Sequence, residues 1–381
     1  MRRGAVPAVF TALAACVATL VEAPAVSAAP QPTGSDRVRS DQWHLGYLKA
    51  TEAHQISQGE GVIVAVPDTR IDQHPDLREN LLDGIDITDG GDRGRQEDHS
   101  SHGTLMAGLI AAHGQGVSRG ALGIAPKAKV LPIRVGQTSN RGDAEDLATG
   151  IEWAVANRAA VISISSVSGA SARLQQAIRA ALQANVTVVA AAGNRPDDFG
   201  VGYPASEEGV IAVGGVDHTG EHAAVSVTGP EIDIAAPAVD IYSTSFGGRY
   251  SKGTGTSSAT AIVAGAAALI RSKYPHLPSA EVAHRLTATA IDKGPPGRDD
   301  EYGYGVIDLV AALTADVPPL GFESGPSVPT TTTAARPASD GGDDGATARG
   351  LATLGVLVAA SGGYLLWRRR RADDPPPRIS R

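Results

Sequence analysis

Four short apolar runs rich in β-branched residues, with helical patterns between them, constrain the fold of this chain more than any other feature. Gly61 to Val66 reads Gly-Val-Ile-Val-Ala-Val, and similar runs occupy Lys129 to Val135, Ala160 to Ser165 and Asn185 to Ala191. A continuous apolar run without polar alternation predicts a strand buried on both faces of a parallel sheet. Helical patterns fall at Thr104 to Ala112, Ala144 to Asn157 and Leu174 to Ala184. Such alternation predicts an α/β fold: a doubly wound, mostly parallel sheet with helices on both faces and right-handed crossovers. Ligands bind such sheets in the crevice beyond the carboxyl ends of the strands.

Composition narrows the function classes. The 381 residues suffice for one large domain with extra segments at the ends, and 42% apolar residues can build a core. A net charge of -8 and only 4% aromatic residues argue against nucleic acid as a partner. The single cysteine, Cys16, excludes an internal disulfide framework and a cysteine-based metal site.

Both ends carry targeting patterns. Arg2 and Arg3 precede the apolar run Gly4 to Leu20, and Ala25-Val26-Ser27-Ala28 supplies small residues before a cut, the layout of a signal peptide over 1–28. An alternative reading makes Leu13-Ala14-Ala15-Cys16 a lipoprotein-type site with Cys16 lipidated. A short extension, 29–40, leads into the folded domain at 41–316. Residues 317–349 hold Pro318-Pro319, Thr330 to Thr333 and Asp340-Gly341-Gly342-Asp343-Asp344, a linker composition unable to bury a core. Residues 350–367 carry no charge and read as one C-terminal transmembrane helix, marginal but adequate against the roughly 20 apolar residues that a helix needs to cross ~30 Å of hydrocarbon. Arg368 to Arg371 follow at once, which keeps the tail 368–381 cytoplasmic and the folded domain outside, a single-pass arrangement at the cell membrane.

Within the folded domain, polar residues stand where apolar elements end. Asp68 follows the first strand, His102 opens a helix in Ser-His-Gly-Thr, and Ser257 opens another in Gly-Thr-Ser-Ser-Ala. A serine hydroxyl needs a neighbouring base to take its proton, and the base needs a carboxylate to hold its tautomer. A helix starting at the nucleophile offers an unpaired N–H and the positive dipole end to a developing oxyanion, and Asn194, ending Ala191-Ala192-Gly193-Asn194, offers a second donor. Taken singly, Asp68 and Ser257 are equally good caps and Asn194 a turn former. His99 is a rival base, but only His102 heads the His-Gly-Thr motif.

The chain order Asp, His, Ser is that of the subtilisins. From Asp41 to about Leu313 the chain resembles a subtilisin-like serine protease. Ile71-Asp72-Gln73-His74-Pro75-Asp76-Leu77, Gly123-Ile124-Ala125-Pro126, Tyr203-Pro204-Ala205 and Gly303-Tyr304-Gly305-Val306-Ile307-Asp308 extend the likeness. The resemblance implies peptide-bond hydrolysis with no cofactor, a triad of Asp68, His102 and Ser257, and Asn194 as oxyanion donor. The end segments narrow it to the mycosins, the membrane-anchored proteases of actinobacterial type VII secretion. Polypeptide substrates and secretion components are the partners this implies.

Several positions depart from the family pattern. Pro67 stands where an aliphatic residue is usual, Arg70 and Val167 where glycine is usual, and Ser258 and Ala261 where methionine and proline are common. A buried Arg70 would weaken the service of Asp68 to His102; Arg70 and Val167 favour a rival reading, a weakly active or inactive subtilase-fold subunit that stabilises a secretion complex, while the intact triad favours the enzyme. The acidic residues Asp89, Asp92, Glu97 and Asp98 admit a structural calcium site, but a solvated loop is the preferred reading.

Overall fold

The computed structural model describes residues 34–88, 100–135, 137–138 and 141–321. The signal peptide, Cys16, the acidic run with His99, the linker beyond residue 321, the apolar segment 350–367 and the basic tail lie outside the described residues.

In chain order, α1 (Gly34–Asp41), α2 (Trp43–Tyr47) and α3 (Ala50–His54) lead into β1 (Ile63–Asp68), β2 (Ile85–Asp86), α4 (His102–Ala111) and β3 (Lys129–Arg134). Next come β4 (Gln137–Thr138), β5 (Arg141–Gly142), α5 (Ala144–Ala156), β6 (Val161–Ile164), β7 (Val167–Ser168), α6 (Ala172–Gln183) and β8 (Thr187–Ala191). The chain continues through β9 (Ile211–Val216), β10 (Ile234–Pro237), β11 (Ile241–Ser245), β12 (Arg249–Gly253), α7 (Thr256–Lys273), α8 (Ser279–Ala288) and α9 (Leu309–Thr314).

Seven strands form the central sheet in the order β10-β9-β8-β6-β1-β3-β2, every pairing parallel. The four predicted strands are its centre, and their apolar runs are buried as expected. On one face α5 and α6 pack together, placing Leu147, Ile151, Leu174 and Ile178 in the core. Their starts follow from capping: Asp143 accepts from the Glu145 and Asp146 N–H groups, and Ser171 from that of Leu174. On the other face α4 packs against α7, an 18-residue helix buried from Thr256 through Arg271 on nearly every side. A helix apolar all round belongs in the middle of a domain, and α7 accordingly lies across β1, β6, β8, β9 and β10.

The switch point of the sheet lies between β1 and β6, because the chain leaves β1 toward β3 and later returns on the other side at β6. Those two strands are in register only at Val64–Val161 and Ala65–Ile162, and beyond that they part. Pro67 sits past this point, opposite Ile133 of β3, so its missing N–H interrupts no registered pair with β6.

Part of the expected 29–40 extension is helical and fastened to the body. Val38 of α1 is buried, and the Arg39 guanidinium donates to the carbonyls of Gly120 (3.0 Å), Arg119 (3.2 Å) and Val117 (3.3 Å). Asp36 pairs with Arg119 at 2.7 Å, and the Gly120 N–H donates to the Ser35 carbonyl.

Candidate active site

Asp68 is the last residue of β1 and is fully buried at the switch point. Its Oδ1 accepts from the Thr69 N–H and from His102 Nδ1, both at 2.7 Å. His102 is the first residue of α4, and the two residues after it explain its position. The Gly103 N–H donates to Thr69 Oγ1 at 2.9 Å, and a Cβ on Gly103 would lie 2.4 Å from the Thr69 carbonyl oxygen, so only glycine lets the helix head come this close. Thr104 Oγ1 then accepts from the Asp72 N–H at 3.0 Å. Glycine and threonine of the His-Gly-Thr motif thus bolt α4 to the segment that follows Asp68.

The His102 side chain is 26% exposed, whereas that of Asp68 is fully buried. Burial works to lower its pKa, but the charge of Asp68 and the hydrogen bond to it outweigh burial, and the pKa is raised above the ordinary imidazole value. With Nδ1 held by Asp68, Nε2 is the nitrogen left to exchange a proton. Arg70, the departure beside this pair, is exposed, so it does not stand buried between carboxylate and imidazole.

Ser257 is the second residue of α7, whose start depends on Gly255 at φ 152°, a backbone angle costly for any residue with a Cβ. A Cβ at Gly255 would also lie 3.2 Å from the Asn194 amide. Asn194 Oδ1 accepts from the Thr256 N–H (2.9 Å) and Thr256 Oγ1 (3.2 Å), which leaves the amide nitrogen as the donor end. Ser257 Oγ donates to the Ser165 carbonyl at 2.8 Å, and the described residues show no hydrogen bond from it to His102. Asn194, Ser257 and Ser165 to Val167 line one cleft, together with Ala191, Gly193, Arg141 and Asp198.

The four predicted site residues are therefore brought together as two pairs, Asp68 with His102 and Ser257 with Asn194, each at the head of one of two packed helices. Ser165 and Thr256 were missed as functional positions. Ser165 lay inside a noted strand motif and Thr256 directly before the nucleophile, so position was the only available signal. Val167 extends the cleft wall as part of β7, and Ser258 and Ala261 are buried within an uninterrupted α7. Among the described residues no group of three or more His, Cys, Asp or Glu side chains is placed to hold a metal ion, and Asp89, Asp92, Glu97 and Asp98 lie outside them.

The subtilase family (peptidase S8) model matches residues 59–305. The chain belongs to the subtilase family. Its sheet order and parallel pairing are those of the subtilisin-like α/β fold, and the chain is a serine endopeptidase. It is 39% identical over 268 residues to the thermostable alkaline protease of Halalkalibacterium halodurans, spanning 70% of this chain and 71% of that protein. Subtilisin Savinase of Lederbergia lenta is 37% identical over 276 residues, spanning 72% of this subtilase and 99% of Savinase. Among solved structures, MycP1 from Mycobacterium smegmatis aligns with a TM-score of 0.64 and 28% identity, over 74% of this chain and 89% of MycP1. The MycP3 protease from the type VII (ESX-3) secretion system aligns at 0.61 and 34% identity, over 72% and 88%. Among the described residues of this subtilase no helix is long and apolar enough to cross a membrane.

Proposed function

We propose that this subtilase cleaves polypeptides through Ser257, His102 and Asp68, with Asn194 and the Ser257 N–H holding the oxyanion. A rotation about χ1 carries the Ser257 hydroxyl from the Ser165 carbonyl to His102 Nε2. Oγ then adds to the substrate carbonyl carbon while its proton passes to Nε2. The C–N bond breaks, His102 returns the proton to the departing amine, and water releases the acyl group by the same route. Asp68 holds the imidazolium formed on the way. The negative oxygen meets the amide of Asn194 and the start of α7, where unpaired N–H groups and the helix dipole favour it.

The observation that carries this reading is the 2.7 Å hydrogen bond from His102 Nδ1 to a fully buried carboxylate. A fluorophosphonate probe tests it: the wild type is labelled and Ser257→Ala is not. Labelling that survives Ser257→Ala sinks the nucleophile assignment. An unlabelled wild type, under conditions that label subtilisin Savinase, sinks the catalytic reading.

The cellular setting belongs to the same proposal. The uncharged segment 350–367, followed by Arg368 to Arg371, supports a single-pass anchor with the protease on the outer face of the cell membrane. The likeness to MycP1 and MycP3, whose structures are described as type VII secretion proteases, supports action on or beside such a secretion system.

A further inference from the structure

Asn194 is held at its side chain and at both of its backbone polar groups. Thr256 grips the amide oxygen. Asp198 grips the backbone: its Oδ2 accepts from the Asn194 N–H at 2.9 Å, and its own N–H donates to the Asn194 carbonyl at 2.9 Å. The carboxylate also packs against Gly193, where a Cβ would lie 2.9 Å from Oδ2. An aspartate bonded to a backbone N–H four residues back is by itself a local turn device. Here a second element is committed to the same carboxylate. Arg141 of β5, 57 residues away along the chain, donates to Asp198 Oδ1 at 2.8 Å. Arg141 is itself set in register with Val167 of β7. The Asp198 side chain is only 14% exposed, and both members of the pair line the cleft that holds Ser257 and Asn194.

This arrangement carries an electrostatic conflict and its remedy. The carboxylate sits at the backbone of the residue whose amide meets the oxyanion, so its charge opposes the charge that develops in the transition state. At an effective dielectric constant of about 20, a bare carboxylate one residue away slows the step by roughly 10-fold or more. Pairing with a guanidinium cancels the net charge and leaves the acceptor oxygen in place. We propose that Asp198 and Arg141 are positioning residues for the oxyanion donor. Asp198 fixes the backbone from which the Asn194 amide projects, and Arg141 neutralises the charge that this grip sets beside the oxyanion. The inference rests on Ser257 as nucleophile and Asn194 as donor, and it adds to them an ion pair that touches no reacting atom.

The test follows acylation of the full chain by p-nitrophenyl acetate, with active sites counted by fluorophosphonate labelling. So small an ester carries no peptide to meet Arg141, and its rate reports the oxyanion site. Arg141→Gln leaves the carboxylate unpaired and should slow acylation about 10-fold at ~0.01 M salt, with the loss shrinking at ~1 M, where the Debye length is ~3 Å. Arg141→Lys should recover most of that loss. So should Asp198→Asn added to Arg141→Gln, because it takes away the uncompensated charge. Asp198→Ala removes the grip and should cost ~10–100-fold. In an Asn194→Ala background the same change should cost under ~2-fold, since no amide is left to position. Should Asp198→Ala fold poorly, the Arg141 series carries the test. Equal losses at low and high salt, no recovery in the double variant, or an undiminished effect of Asp198→Ala without the Asn194 amide overturns the proposal. A wild type that takes no fluorophosphonate sinks the catalytic reading and this one with it, whereas a labelled wild type whose variants keep its rate sinks this one alone.

Discussion

The two carboxylate-to-imidazole bonds that matter at His102 are one hydrogen bond and one charge interaction, both from Asp68, and both act against desolvation. Their sign fixes a pH dependence. A general base works only when neutral, so kcat/KM falls as pH drops through the His102 pKa, with a midpoint above the ordinary value of about 6.5. Asp68→Asn removes the charge and offers the wrong hydrogen-bonding partner. The acid limb of the kcat/KM profile should then move to lower pH, and kcat should fall by about 10⁴. A profile whose midpoint stays put in the variant would mean that Asp68 does not set this pKa. At this scale the sequence was informative where a side chain does the chemistry. Asp68, His102, Ser257 and Asn194 each carry a functional group at the end of an apolar run. Ser165 contributes a backbone carbonyl, which every residue possesses, and Thr256 works by turning an amide that only the folded chain brings near.

Elements place these groups, and the tightest placement is the head of α4 against the turn after β1. Glycine inside a helix ordinarily costs about 1 kcal/mol relative to alanine. At Gly103 that gain from alanine is outweighed, because the added Cβ meets a backbone oxygen at 2.4 Å and no flexible side chain can yield. Gly103→Ala should therefore destabilise by ~1–3 kcal/mol, the range for overpacking, and reduce activity by shifting His102. A urea midpoint equal to that of the wild type would refute the close approach. The four central strands were legible because strands buried on both faces need unbroken apolar runs. β9 and β10 were not. In β9, Gly214 and Gly215 break the apolar run, and Gly215 is there because a Cβ would lie 2.6 Å from the Ala238 side chain. That requirement comes from a neighbour outside the strand itself, which periodicity cannot reveal. Helix ends differed from the expected ones by one or two residues where Asn157 and Ser171 serve as caps, whereas the start at Ala144, capped by Asp143, fell where the pattern put it.

For the molecule as a whole, one contribution to acid sensitivity comes from a group the chemistry does not use. His44 of α2 is fully buried, and neither ring nitrogen has a hydrogen-bond partner among the described residues. Burial pushes its pKa down to about 3. A depressed histidine leaves stability intact above its unfolded pKa and loses it as pH falls from there toward the folded value, because only the unfolded chain takes up the proton. With an unfolded value of about 6.5, the loss reaches ~2 kcal/mol at pH 5. His102 has the opposite sign, contributing stability below pH 6.5 that fades as pH rises through its raised pKa. Measuring His44→Leu against the wild type at each pH cancels His102. The wild type should lose ~2 kcal/mol relative to His44→Leu between pH 7.5 and pH 5, and a constant difference would show that His44 is not buried neutral.

An enzyme that cuts polypeptide must also survive its own kind. Cleavage requires several residues of backbone drawn out straight into a cleft. The stretch from Ser35 to Arg39 cannot be drawn out without first giving up the Asp36–Arg119 pair, the guanidinium on three carbonyls and the burial of Val38. Fastened in this way, the leading helix is a poor meal for a neighbouring copy, and self-digestion at high concentration is directed to backbone elsewhere in the chain.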